Sequence, residues 1–162
     1  MDKKNLSTKE IFTSALQHHK KNNFEVAENL YKKILKVNPD HFESIFYLGS
    51  LLVQTKNFVK AKSLLQKAIG IQPDYANAHS NLGLVFQQLG EPQKARSCYE
   101  KAIQIKPDFG FAHNNLGVVF QQLGEPQKAI SCYEKAIQIK SNFENAYYNL
   151  GITFEKLYEF RK

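Results

Sequence analysis

The stretch 81–106, NLGLVFQQLGEPQKARSCYEKAIQIK, is written again at 115–140 with two changes, Leu84/Val118 and Arg96/Ile130. The offset is 34 residues. A period of this size marks an array in which each unit buries its apolar face only by stacking on its neighbours. The question of function therefore moves from a catalytic pocket to a surface.

The same period runs through the chain. Leu48-Gly49, Leu82-Gly83, Leu116-Gly117 and Leu150-Gly151 are in register, as are Ala27, Ala61, Ala95 and Ala129, and Ala68, Ala102 and Ala136. Tyr31, Leu65, Tyr99 and Tyr133 align, and Pro39, Pro73 and Pro107 are followed by Ser141. A Leu-Gly pair, then alternating aromatic and small columns, then a closing Pro, resembles the tetratricopeptide repeat over nearly all residues after Ser7. That resemblance implies an all-α fold: a right-handed solenoid, or αα-superhelix, of antiparallel helix pairs with about four and a half repeats. Counting from the Leu-Gly pair gives a tail at 1–7, repeats at 8–41, 42–75, 76–109 and 110–143, and a partial fifth at 144–162. The first repeat is the most diverged, with Ser14-Ala15 at the Leu-Gly position, His18 in the Leu52/Phe86/Phe120 column and Ile34 in a small column.

Helix ends are marked by local chemistry. Ser7-x-x-Glu10 and Asp40-x-x-Glu43 read as capping boxes, and Asp74 and Asp108 as N-caps. Pro92 and Pro126 suit the first turn of a second helix. Gly90 and Gly124 suit a left-handed residue after a first helix, and Pro39, Pro73 and Pro107 close the second helices. Gly49, Gly83, Gly117 and Gly151 fall inside first helices, where each costs about 1 kcal/mol relative to Ala. Close approach of the partner helix, opposite Ala61, Ala95 or Ala129, explains the repeated cost.

The chain is 162 residues with a formal net charge of +7. The basic excess falls from the first repeat to none over 144–162. Most Lys lie on second helices among Glu28, Glu100 and Glu134, the pattern of a solvated outer face rather than a nucleic-acid site. Cys98 and Cys132 occupy one column of stacked units. Neighbouring helices lie about 8–10 Å apart, whereas a disulfide needs Cα atoms within about 7 Å. Both read as half-buried core thiols, compatible with a reducing compartment. MDKKNLSTKEIF is too polar for a signal peptide, and no apolar run approaches the ~18 residues of a membrane span. These features point to the cytoplasm, with no membrane partner.

Catalysis finds little support. His79 and His113 read as packed helix residues. His18 and His19 are adjacent and point about 100° apart, so they make poor joint ligands. Cys98 has no base that sequence identifies. The glycines are a repeat apart rather than clustered for phosphate. The chain is read as a non-enzyme with no cofactor and no metal.

The informative surface is on the first helices. Asn81, Asn115 and Asn149 share one column, with Asn77, Asn145, Ser80, Asn114, Gln87 and Gln121 beside them. Asn is a poor helix-interior residue. Its amide matches the donor and acceptor of a peptide group. Tetratricopeptide arrays of the O-GlcNAc transferase type carry such asparagines along an inner groove, where they grip a peptide main chain. The resemblance implies that role for Asn81, Asn115 and Asn149, with a protein or peptide as the partner. The competing reading has these amides bonding within the array. The Lys/Arg clamp of chaperone-binding relatives is absent: Phe46, Ser80, Asn114 and Tyr148, and Ser50, Leu84, Val118 and Ile152, stand at its positions.

The final helix, from Glu144, carries Tyr147, Tyr148, Leu150, Ile152, Phe154, Leu157, Tyr158 and Phe160, which is too apolar for an outer cap. A longer parent protein, pairing with another copy as a scaffold, and an imperfect cap are the alternatives; the first is preferred. The opening pattern AENLYKKILKVNPDH is similar to N-terminal arrays of bacterial proteins that continue into a glycosyltransferase, sulfotransferase or methyltransferase domain. In that case this array recruits substrates for chemistry located elsewhere.

Overall fold

The computed structural model describes residues 7–159. Among them are nine α-helices, α1 (Thr8–Lys20), α2 (Phe24–Val37), α3 (Phe42–Gln54), α4 (Phe58–Ile71), α5 (Ala76–Gln88), α6 (Pro92–Ile105), α7 (Gly110–Gln122), α8 (Pro126–Ile139) and α9 (Glu144–Glu159). Odd-numbered helices up to α7 pair with the helix that follows, and α9 is the last described helix. The result is the expected all-α array of four and a half helix pairs. The helices fall into two compact units that divide between Pro73 and Asp74.

In the first unit α1 packs on α2, α2 on α3 and α3 on α4. Its core is Ala15, Ala27, Tyr31, Ile34, Ile45, Leu48, Leu51, Ala61, Leu65 and Ala68, all buried. In the second unit α5 packs on α6, α6 on α7, α7 on α8 and α8 on α9, and α7 also touches α5 and α9. Tyr99 and Tyr133 are fully enclosed there, with Ala95, Ala102, Ala129 and Ala136 around them.

Several ends form as expected. Ser7 and Glu10 make a capping box, and Pro92 and Pro126 occupy the first turns of α6 and α8. Gly90 and Gly124 have φ of 73° and 74°. The equivalent places after α1 and α3 are taken by Asn22 and Lys56, both at φ 59°.

Two expectations are corrected. Asp40, Asp74 and Asp108 do not cap; the N-caps are the next residues, His41, Tyr75 and Phe109. The Asp40 carboxylate turns instead to Lys67 Nζ at 3.0 Å, and His41 Nδ1 accepts from the Ser44 amide at 3.2 Å. Ala76 and Gly110, the first residues of α5 and α7, are buried, and a ring residue stands at each cap. Nearest to the helical glycines, moreover, are large side chains rather than the alanines. A Cβ on Gly49 would meet Leu65 at 3.1 Å, on Gly83 the Tyr99 ring at 2.9 Å, and on Gly117 the Tyr133 ring at 2.5 Å. The large column one turn further along the second helix lies directly over the glycine. Burying such a side chain contributes about 1.5–3 kcal/mol, more than the helical penalty of roughly 1 kcal/mol for Gly.

Candidate functional site

All the singled-out amides lie in the second unit, on α5, α7 and α9. Asn81, Asn115 and Asn149 are half-buried, and Asn77 and Asn145 are exposed. Ser80 and Asn114 are buried, at 7% and 5% exposure. Gln87 and Gln121 are half-buried.

The amides are tied together by side-chain bonds. Asn149 Nδ2 donates to Asn114 Oδ1 at 3.1 Å, joining α9 to α7. Asn114 Nδ2 donates in turn to Asn115 Oδ1 at 3.1 Å. Asn115 also lies close to the hydroxyl of Tyr99, a ring whose burial pushes its pKa well above the usual phenol range. A buried amide must be paired or it costs about 1–3 kcal/mol, and Asn114 satisfies that need through its two neighbours.

A second polar chain runs beside the first. The Tyr99 hydroxyl donates to Gln87 Oε1 at 3.3 Å, and the Tyr133 hydroxyl to Gln121 Oε1 at 3.0 Å. Gln121 Nε2 donates to Thr153 Oγ1, which donates to the Asn149 carbonyl at 2.7 Å. Gln87 and Gln121 therefore position the buried tyrosines. Ser80 and Asn114 are interior groups. Asn77, Asn81, Asn115, Asn145 and Asn149 remain in reach of solvent.

Sequence reasoning missed Thr153. It stands in the column of Leu51, Val85 and Val119 and is 1% exposed. The signal was a hydroxyl in a column that is aliphatic in the second, third and fourth repeats. It also passed over Phe111, which is 53% exposed one turn before Asn115.

The groups considered for catalysis are quiet. His113 Nε2 lies 2.9 Å from the Pro107 carbonyl. Burial pushes the Cys98 and Cys132 thiols up to about 11, so neither is primed as a thiolate. Among the described residues no group of three or more His, Cys, Asp or Glu is placed to hold a metal ion. Nor is any described helix long and apolar enough to cross a membrane.

Two family models, both described as the tetratricopeptide repeat, match the chain, one at 76–109 and 111–143 and one at 18–84. The chain is similar to the crystal structure of the MamA protein, with 30% identity over 91% of this chain and 81% of that one and a TM-score of 0.81. It is similar to YrrB, described as a TPR protein with an unusual peptide-binding site, with 20% identity, 93% and 77% coverage and a TM-score of 0.77. It is also similar to TTC0263, a thermophilic TPR protein of Thermus thermophilus, at 18% identity, 93% and 83% coverage and a TM-score of 0.77. No curated protein matches the chain.

Proposed function

The chain belongs to the tetratricopeptide repeat family, a protein-interaction repeat type, and we propose that its α5–α7–α9 face holds an extended peptide or protein segment through Asn81, Asn115 and Asn149. The observation that carries this reading is their shared register. Three carboxamides, each one repeat from the next, sit half-exposed on successive first helices of one unit. Asn77 and Asn145 extend the row at its exposed side.

The internal bonds support the row rather than consume it. Asn149 gives one N–H to Asn114, and Asn115 accepts one bond from the same residue. Each amide has two donors and two acceptor sites, so capacity remains on both while their orientation is held. A receptor with its polar groups already oriented loses less entropy on binding. Main-chain recognition of this kind is nearly blind to the sequence of the guest. The exposed Phe111 adds one apolar contact to it.

The test is selection of linear peptides from a random displayed library on the wild-type chain, followed by affinity measurement on variants. Asn81→Ala with Asn115→Ala is expected to weaken the selected peptides several-fold, with far-UV circular dichroism nearly unchanged. Equal affinity for both proteins would discard the amide row as the binding element. Loss of helicity in step with affinity would assign these amides to the array's own order instead.

A further inference from the structure

At α9 the pattern of covering breaks off, and the contrast with the preceding repeats is direct. Phe86 and Phe120 are 7% and 6% exposed, whereas Phe154 in the same column is 51% exposed. Gly83 and Gly117 lie under the rings of Tyr99 and Tyr133, whereas a Cβ on Gly151 would meet nothing within 4 Å. Tyr147 and Tyr158 are also mostly exposed. Phe160 of the expected apolar set lies outside the described residues.

What covers these positions elsewhere is explicit in the chain. Lys94 and Lys128 hold their ammonium groups 5.5 Å from the ring centroids of Phe86 and Phe120. Ala95 and Ala129 follow, then Tyr99 and Tyr133 over the glycines, then Ala102 and Ala136, all fully buried. In α4 the same order recurs as Lys60, Ala61, Leu65 and Ala68. A helix that completes this surface therefore reads Lys-Ala-x-x-x-Tyr/Leu-x-x-Ala.

The neighbouring helix is adapted as well. Arg96 lies 5.3 Å from the Phe120 ring centroid and bonds Glu100. The second copy of the stretch has Ile130 at that place. With Gln127, Phe154, Leu157 and Tyr158 it lines an open hollow of about 480 Å³.

We propose that this face of α9 docks an amphipathic helix of a partner protein, basic in charge and carrying that pattern, with its Tyr or Leu seated on Gly151 and its Lys over Phe154. The contact continues the interface already formed between α5 and α6 and between α7 and α8. The charge is complementary, since α9 carries Glu144, Glu155 and Glu159 against Lys156. The same carboxylates oppose pairing of two α9 faces.

The probe is a fluorescein-labelled synthetic peptide, PQKAISCYEKAIQIK, which is residues 126–140 of this chain. It is titrated into the full chain and followed by anisotropy. A peptide of this length is only marginally helical alone, so helicity gained on mixing is a second readout. Saturable binding is expected, weakened at least tenfold by Gly151→Leu in the chain or by Tyr133→Ala in the peptide. Because position 151 is open, Gly151→Leu leaves the fold intact. Asn81→Ala with Asn115→Ala is expected to leave this affinity unchanged, which separates the site from the amide row. Absence of saturable binding overturns the proposal. So does binding indifferent to Gly151→Leu, loss of binding in the double Asn variant, or a wild-type dimer in sedimentation that Gly151→Leu converts to monomer.

Discussion

Lys56 is the residue most at odds with its own backbone. It closes α3 at φ 59°, where its equivalents later in the chain are Gly90 and Gly124. A non-glycine residue in the left-handed region costs about 1–2 kcal/mol. Lys56→Gly is therefore expected to stabilise the chain by about 1 kcal/mol, after the added freedom of the unfolded glycine is subtracted. Chemical denaturation of the two proteins measures it, and a fall in stability would refute the account. Asn22 occupies the same backbone state at lower cost, because its short amide tolerates it. At this scale the glycines were legible as helix ends. The left-handed state of Lys56 was not, since it violates the propensity that sequence reading relies on.

The two thiols make a separate residue-scale prediction. Burial raises both from an ordinary value near 9 to about 11. The folded chain then holds these protons more tightly than the unfolded chain. The contribution to stability is complete below about pH 9 and is lost as pH rises toward about 11. Buried Tyr31, Tyr99 and Tyr133, also raised, act in the same direction at the upper end of that window. Melting temperature should decline steadily across the interval. The decline should be shallower at its onset for Cys98→Ala with Cys132→Ala.

Among the elements, the helical glycines divide by what lies over them. At Gly117 an added methyl would sit 2.5 Å from the Tyr133 ring. Overpacking of that kind costs about 1–3 kcal/mol, and the buried ring has little room to move. At Gly151 the space is open, and the higher helix propensity of Ala is worth about 1 kcal/mol. Gly117→Ala is thus expected to lower the melting temperature and Gly151→Ala to raise it. Equal shifts in one direction would remove the packing explanation. The positions of the helices were readable from the period and from Pro92, Pro126, Gly90 and Gly124. The identity of the caps was not, because the caps of α3, α5 and α7 fall one residue later than the Asp that local chemistry favours, and the Asp40 carboxylate pairs with Lys67 instead. Nor was the glycine's true neighbour, because one-dimensional spacing does not say how far a second helix is rotated.

At the scale of the molecule, many basic side chains on second helices pair with a nearby carboxylate. Lys32 pairs with Glu28 at 2.5 Å and Arg96 with Glu100 at 2.7 Å, and Lys94 and Lys128 pair with Glu91 and Glu125. Exposed pairs of this kind contribute about 0–1 kcal/mol each, so they set solubility more than stability. The repeat itself, the helix pairs and the buried columns were determined by sequence alone, because periodic apolar spacing acts within short windows and each window is written several times. The tertiary structure decided which amides meet, that Asn149 reaches Asn114 and Asn114 reaches Asn115, and that Thr153 closes the chain to Gln121. The links from α9 to α7 join positions roughly one period apart, on helices whose mutual rotation and distance no single window contains. Whether a carboxamide faces solvent or its neighbour depends on that rotation.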